Sequence, residues 1–169
     1  MSLVLLLGGA RSGKSELAVR LAAATGTPVV FVATAEAGDG EMAERIARHR
    51  AERPREWGTV EAPRKLEAAI LEAPPDACLV VDCLSLWVAN TFEDDVDVED
   101  RARSLAAVCA ARTSETIVVS NEVGLGVVPA TPLGRRYRDV LGRVNAIWAA
   151  AADEAYFVIA GKTLSLADA

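Results

Sequence analysis

Gly8, Gly9, Ala10, Arg11, Ser12, Gly13, Lys14 and Ser15 fit the spacing G-x-x-x-x-G-K-[ST] at every fixed position. Each residue type has a reason. Small residues let backbone N–H groups wrap phosphate oxygens, and a helix N-terminus adds partial positive charge. Lys14 would place an ammonium on the β- and γ-phosphates, and Ser15 would offer a hydroxyl to Mg²⁺. Asp82 closes the apolar run Cys78, Leu79, Val80, Val81. An acid at the carboxyl end of a strand is where such a loop finds its Mg²⁺ partner. Asp82 could also cap a helix beginning near Leu84, and the two roles are compatible. The single histidine, His49, lies among Arg45, Arg48, Arg50 and Arg53. On a helix, Arg45, Arg48 and His49 share a face. Cations there suit a triphosphate and favour the neutral, nucleophilic imidazole. The plainer reading is a solvated face paired with Glu41, Glu44 and Glu52.

These residues need a scaffold, and the hydrophobic pattern supplies one. Residues 3–7, Leu-Val-Leu-Leu-Leu, form a continuous apolar run, as in strands buried on both faces. Residues 15–25 read as a helix stopped by Gly26, and residues 29–33 as a second strand after Pro28. Strand, helix, strand implies a parallel crossover. Residues 39–53 are charged with helical spacing up to Pro54. Residues 65–72 form a short helix closed by Pro74 and Pro75. Strands are expected at 78–82, 116–120 and 155–159, and helices at 84–90, 98–112 and 131–152. Residues 92–100 read as an acidic surface turn. Residues 162–166 could pair beside the last strand through a turn at Gly161. The expectation is one α/β domain spanning 1–169, with a mainly parallel sheet flanked by helices, of the P-loop NTPase (RecA-like) type. The loop 121–129 could move on Gly124 and Gly126, or be a plain turn with Val127 and Val128 packed inward. Trp57, Trp87 and Trp148 read as core or interface residues.

The 169 residues carry 18 − 24 = −6 charges, which counts against a general nucleic-acid binder. Hydrophobic residues make up 51%, enough for a folded core without staples. Cys78, Cys83 and Cys109 are widely spaced and form no CxxC pair, so reduced thiols in a cytoplasmic protein are expected. No run is long enough for a membrane span.

The phosphate loop, the block Arg45-Ile46 with His49-Arg50 and Arg53-Pro54, then Trp57, Thr59 and Glu61, form one set of motifs. The block from Asn121-Glu122-Val123-Gly124 to Pro129, and Arg138-Asp139 with Gly142-Arg143-Val144-Asn145, form another. Together they closely resemble the bifunctional adenosylcobinamide kinase/adenosylcobinamide-phosphate guanylyltransferases of cobalamin biosynthesis. The likeness runs from residue 3 to about 159; Ala146 departs from it, standing where many members carry a glutamine. The resemblance implies two reactions. ATP or GTP phosphorylates adenosylcobinamide. GTP then donates GMP to adenosylcobinamide phosphate, releasing pyrophosphate, through a guanylylated histidine at the position of His49. It further implies that residues 8–15 hold the triphosphate and that Thr34, Ala35 and Glu36 contact the nucleotide. Arg50, Ala51, Glu52, Arg53, Glu61 and Asp82 would complete the guanine-nucleotide site, and the assembly would be a homotrimer. Two other readings fit the loop alone: a P-loop small-molecule kinase without guanylyl transfer, and a RecA-like nucleotide-switch module.

Overall fold

Leu3, Val4, Leu5, Leu6 and Leu7 are all buried because their strand lies inside a sheet covered on both faces. The chain is seen here as a computed structural model, which describes residues 2–36, 44, 47, 50, 53–93 and 97–167. Among these, the elements run β1 (Leu3–Gly8), α1 (Lys14–Ala24), β2 (Val29–Ala33), β3 (Gly58–Glu61), α2 (Leu66–Glu72), β4 (Cys78–Asp82) and α3 (Leu84–Thr91). They continue with α4 (Val98–Ala110), β5 (Thr116–Asn121), α5 (Pro132–Ala151), β6 (Glu154–Ile159) and β7 (Lys162–Leu166).

The sheet order is β3-β2-β4-β5-β1-β6-β7. Every pairing is parallel except β6 with β7. One face carries α2, α3, α4 and α5 over Leu3, Leu5, Leu79, Val81 and Val118, with Trp87 and Trp148 fully buried there. The other face carries α1, whose Ala18 and Ala22 let the helix sit close on Leu6, Val80 and Ile117. Trp57 packs partly buried on that second side. Asp97 caps α4 by accepting from the N–H groups of Glu99 and Asp100, and Thr131 caps α5 ahead of Pro132. None of the described helices is long and apolar enough to cross a membrane.

The register aligns the strand ends that matter. Gly8 lies opposite Asn121 and Val158; Ala33 lies opposite both Asp82 and Glu61. The phosphate loop, Asp82, Glu61 and the β5 terminus therefore share one carboxyl edge, the edge where open parallel sheets bind ligands. The hairpin at Gly161 forms as expected, with Ala160 and Gly161 at φ 52 and 72. Strand β3 was not expected. Its four residues are all exposed on a sheet edge, so no apolar alternation marks it. The alternative of an inward-packed loop is corrected: Val127 is 95% exposed and Val128 61%.

Candidate functional site

The phosphate loop is fixed from several directions. Gly13 precedes α1 at φ +99, and no side chain caps that helix, so the amides of its first turn face outward as an anion would need. A Cβ on Gly8 would stand 2.2 Å from the Val158 carbonyl oxygen, so only glycine lets β1 and β6 run this close. The turn between β6 and β7 closes over the loop: the Gly161 N–H donates to the Ser12 carbonyl at 2.9 Å. Lys14 is buried at 7% exposure, with Nζ donating to the Gly9 carbonyl at 2.6 Å and to Ser12 Oγ at 3.3 Å. The ammonium is thus held over the loop rather than waving in solvent.

Beside the loop, Asp82 is half-buried at the end of β4. It does not cap α3: that position is Cys83, which makes no side-chain cap. The helix-cap alternative for Asp82 is therefore corrected. Behind it runs a buried polar network. Thr34 Oγ1 donates to the Cys83 carbonyl at 2.7 Å and accepts from the Cys83 N–H at 2.8 Å. Cys83 Sγ lies 2.9 Å from Ser85 Oγ, which also accepts from Asn121 Nδ2 at 3.0 Å. Asn145 Nδ2 donates to the Asn121 carbonyl, and Asn145 Oδ1 accepts from Ser120 Oγ at 2.7 Å. Tyr137 donates to the Ser85 carbonyl. These bonds lock the ends of β2, β4 and β5 together. Burial, with the Asp82 charge added, pushes the Cys83 thiol up to about 11; burial pushes Tyr137 up to about 12. Thr34 is fully buried with its hydroxyl committed to Cys83, while Ala35 and Glu36 lie closer to the surface.

The far end of the edge is more open. Glu44, Ala47 and Arg50 are helical and exposed. Arg50 pairs with Glu61 at the end of β3. Arg53 lies over the Phe31 ring, 3.5 Å from its centroid. His49, Arg45, Arg48, Ala51 and Glu52 lie outside the described residues. The structure thus brings the loop, Ser15, Thr34 to Glu36, Asp82, Arg50, Arg53 and Glu61 to one sheet edge.

Two features escaped the sequence reading. One is the Cys83–Ser85–Asn121–Asn145 network, whose members look like ordinary polar residues until the topology joins them. The other is a cleft of about 510 Å³ between the outer side of the loop and the β5–α5 connection, with Glu122, Val123, Leu125, Phe157 and Ile159 among its walls. The Glu122 N–H donates to the Gly8 carbonyl at 3.0 Å, which ties that wall to the loop.

Comparison with known proteins adds a chemistry to this geometry. Residues 4–166 match the profile of the cobinamide kinase / cobinamide phosphate guanyltransferase family. The chain is 46% identical over 165 residues to the bifunctional adenosylcobalamin biosynthesis protein CobP of Pseudomonas aeruginosa PAO1, covering 96% of this chain and 95% of that one. It is 37% identical over 175 residues to CobU of Salmonella typhimurium LT2, covering 94% and 96%. Among solved structures, the flagellar accessory protein FlaH of Methanocaldococcus jannaschii aligns with a TM-score of 0.55 at 17% identity, over 96% of this chain and 74% of that one. The RadB recombinase aligns with a TM-score of 0.55 at 15% identity, over 92% and 73%. These two likenesses are of fold alone.

Proposed function

This chain belongs to the cobinamide kinase / cobinamide phosphate guanyltransferase family, and we propose that both reactions use one triphosphate site along the sheet's carboxyl edge. The observation that carries this reading is the shared edge itself. The phosphate loop and Lys14 stand at one end, and Arg50 beside His49 is tied to Glu61 at the other.

In this reading Gly8, Gly9, Ala10, Arg11, Ser12, Gly13, Lys14 and Ser15 wrap the triphosphate. Lys14 leaves the Gly9 carbonyl to pair with the β- and γ-phosphates. Thr34 sets the backbone from which Ala35 and Glu36 reach the nucleotide. Arg50, Ala51, Glu52, Arg53 and Glu61 complete the guanine side. Ser15 and Asp82 fit a hard cation: both carry oxygen donors at the strand ends, and the Asp82 carboxylate has no hydrogen-bond or ion-pair partner among the described residues. No cluster of three or more acidic, histidine or cysteine ligands occurs among those residues, which suits Mg²⁺ shared with phosphates rather than caged by protein. Bound there, Mg²⁺ would neutralise phosphate charge.

For the kinase half, the substrate alcohol attacks the γ-phosphorus of ATP or GTP and the nucleoside diphosphate leaves. For the transfer half, an imidazole nitrogen of His49 attacks the α-phosphorus of GTP, and the bond to pyrophosphate breaks. A phosphate oxygen of adenosylcobinamide phosphate then attacks that phosphorus, the P–N bond breaks, and adenosylcobinamide-GDP leaves. The chain is further read as assembling into the homotrimer the resemblance implies. Support comes from uncovered apolar side chains on β7, Leu164 and Leu166, at the sheet edge.

Incubation with α-labelled GTP and Mg²⁺ tests the covalent route. The expected result is an acid-labile, base-stable GMP on the peptide containing His49, absent from His49→Asn. Label on the variant, or wild-type formation of adenosylcobinamide-GDP by it, overturns the histidine assignment.

A further inference from the structure

Asn121 belongs to the buried network, but Glu122 and Val123, which follow it, have no role in the nucleotide site described so far, yet they build one wall of the cleft against the phosphate loop. We propose that this cleft is the acceptor subsite of the kinase reaction and that Glu122 takes the proton from the substrate alcohol; this rests on the bifunctional reading above.

The placement comes from the sheet. β5 lies between β1, which ends in the phosphate loop, and β4, which ends in Asp82. A residue just past β5 therefore stands beside whatever the loop holds. Glu122 is fixed there by its N–H bond to the Gly8 carbonyl. Its carboxylate folds onto its own loop: Oε1 accepts from the Gly124 N–H at 2.6 Å and Oε2 from the Leu125 N–H at 3.1 Å. A carboxylate has about four acceptor positions, so two remain for an incoming hydroxyl.

The walls select the kind of acceptor. Phosphates are met by the backbone amides of the loop. The opposite walls offer Val123, Leu125, Phe157 and Ile159, with Glu122 the only carboxylate among the described lining residues; the one cation, Arg11, belongs to the phosphate loop itself. The apolar wall with its carboxylate suits a neutral alcohol on an apolar arm, while Arg11 lies on the phosphate side. The volume, about 510 Å³, matches a drug-sized fragment rather than a whole corrinoid. The aminopropanol arm enters, and the macrocycle rests outside against Val127 and Val128, which are exposed at 95% and 61%. An exposed apolar loop tip next to a nucleotide site is explained by such a ligand.

The step balances. The alcohol O–H bond breaks and its proton goes to a Glu122 carboxylate oxygen. The freed oxygen pair forms the bond to the γ-phosphorus. The bond from that phosphorus to the bridging oxygen breaks, and the nucleoside diphosphate leaves with the electron pair.

Glu122→Gln removes basicity but keeps only one loop acceptor, since its amide oxygen can hold the Gly124 N–H while its NH₂ cannot accept from Leu125; Glu122→Asp, which keeps two acceptor oxygens, is the control for loop shape. Three measurements on the full-length chain decide. These are phosphorylation of adenosylcobinamide, guanylyl transfer to preformed adenosylcobinamide phosphate, and affinity for a fluorescent GTP analogue. The expected result is a fall of about 10²-fold or more in the kinase kcat. Nucleotide affinity and guanylyl transfer should stay within about threefold, and the acid limb of the kinase pH profile should vanish. Glu122→Asp should restore part of the rate. A kinase rate within threefold of wild type overturns the assignment, as does an equal loss in all three measurements, which would mark a merely structural role. If the unaltered chain phosphorylates no adenosylcobinamide, the bifunctional reading itself fails and takes this inference with it.

Discussion

The two ends of the carboxyl edge are held by different physics. At the phosphate-loop end, contacts are buried and mostly backbone. β1 and β6 approach so closely that Gly8 admits no Cβ, Gly161 bonds to Ser12, and Lys14 is packed under the loop. At the β3 end, every strand residue is exposed, and among the described residues the contacts include a solvent-facing ion pair, Arg50 with Glu61, and Arg53 over Phe31. The first end is rigid because its geometry is over-determined. The second is specified mainly by charge. If the proposed site is right, triphosphate grip and guanylyl transfer should respond to different substitutions, and experiment can break that contrast.

The largest effect is expected at Lys14. Lys14→Ala removes the cation assigned above to the β- and γ-phosphates. Phosphorylation should fall by at least about 10³-fold, or ~4 kcal/mol of transition-state stabilisation. Circular dichroism should show the fold intact, since the sheet core does not depend on this side chain. Wild-type turnover in the purified variant would remove the loop from the mechanism.

Neighbouring glycines sharpen the claim that the loop end is over-determined. Gly8→Ala drives a methyl into the Val158 carbonyl and should cost about 1–3 kcal/mol in denaturant unfolding, with nucleotide affinity falling alongside. Gly9→Ala meets nothing within 4 Å and should stay within about 0.5 kcal/mol of wild type. Equal costs at both positions would mean that the close strand approach does not govern the loop.

Buried thiols, Cys83 at the carboxyl edge and Cys109 in α4 away from it, give a pH dependence. Burial, reinforced by the Asp82 charge, raises Cys83 from 9.0 to about 11; burial alone raises Cys109 to about 12. The folded chain therefore keeps protons that the unfolded chain releases above about pH 9. The stabilisation is fully present below pH 9 and is lost as pH rises toward 11–12, by at most about 1.4 kcal/mol per unit for each thiol. Urea midpoints should fall between pH 8 and 10, and Cys109→Ala should flatten that slope. A midpoint independent of pH in this window would show the thiols to be less enclosed than the packing implies.

Legibility in the sequence divides along the same line. The phosphate loop could be read because its chemistry demands fixed types at fixed spacing, and β1, β2, β4 and β5 because buried parallel strands are continuous apolar runs. The place of Asp82 at a strand end could be read in the same way, since it closes such a run. β3 could not be read: Gly58, Thr59, Val60 and Glu61 are all exposed, so burial leaves no pattern in them. The Arg50–Glu61 pair was missed for a related reason. Charge pairing across a sheet edge depends on register, which local spacing does not encode, whereas partners such as Glu44 are suggested by nearness in sequence. The Thr34–Cys83–Ser85–Asn121–Asn145 network was hidden likewise, because it joins three strand ends and a helix that only the topology brings together.

The smallest expected effect on stability tests the open end. Arg50 and Glu61 side chains are 59% and 61% exposed, so water screens their attraction and both lose side-chain freedom on pairing. A double-mutant cycle with Arg50→Ala and Glu61→Ala should give a coupling of about 0.2–1 kcal/mol, shrinking as salt is raised. The functional readout should differ. Arg50 follows His49 directly in the chain, so on the proposed histidine route weakening the pair should tell on guanylyl transfer first. Glu61→Gln removes the charge with little change in shape. Guanylyl transfer should fall by about 10-fold while phosphorylation holds within threefold, because misplacing a nucleophile by a fraction of an ångström costs rate without unfolding anything. A coupling above about 2 kcal/mol would mean that the β3 end is as over-determined as the loop. An equal fall in both activities would mean that Glu61 serves the phosphate grip, and the division of the edge into two differently held halves would be wrong.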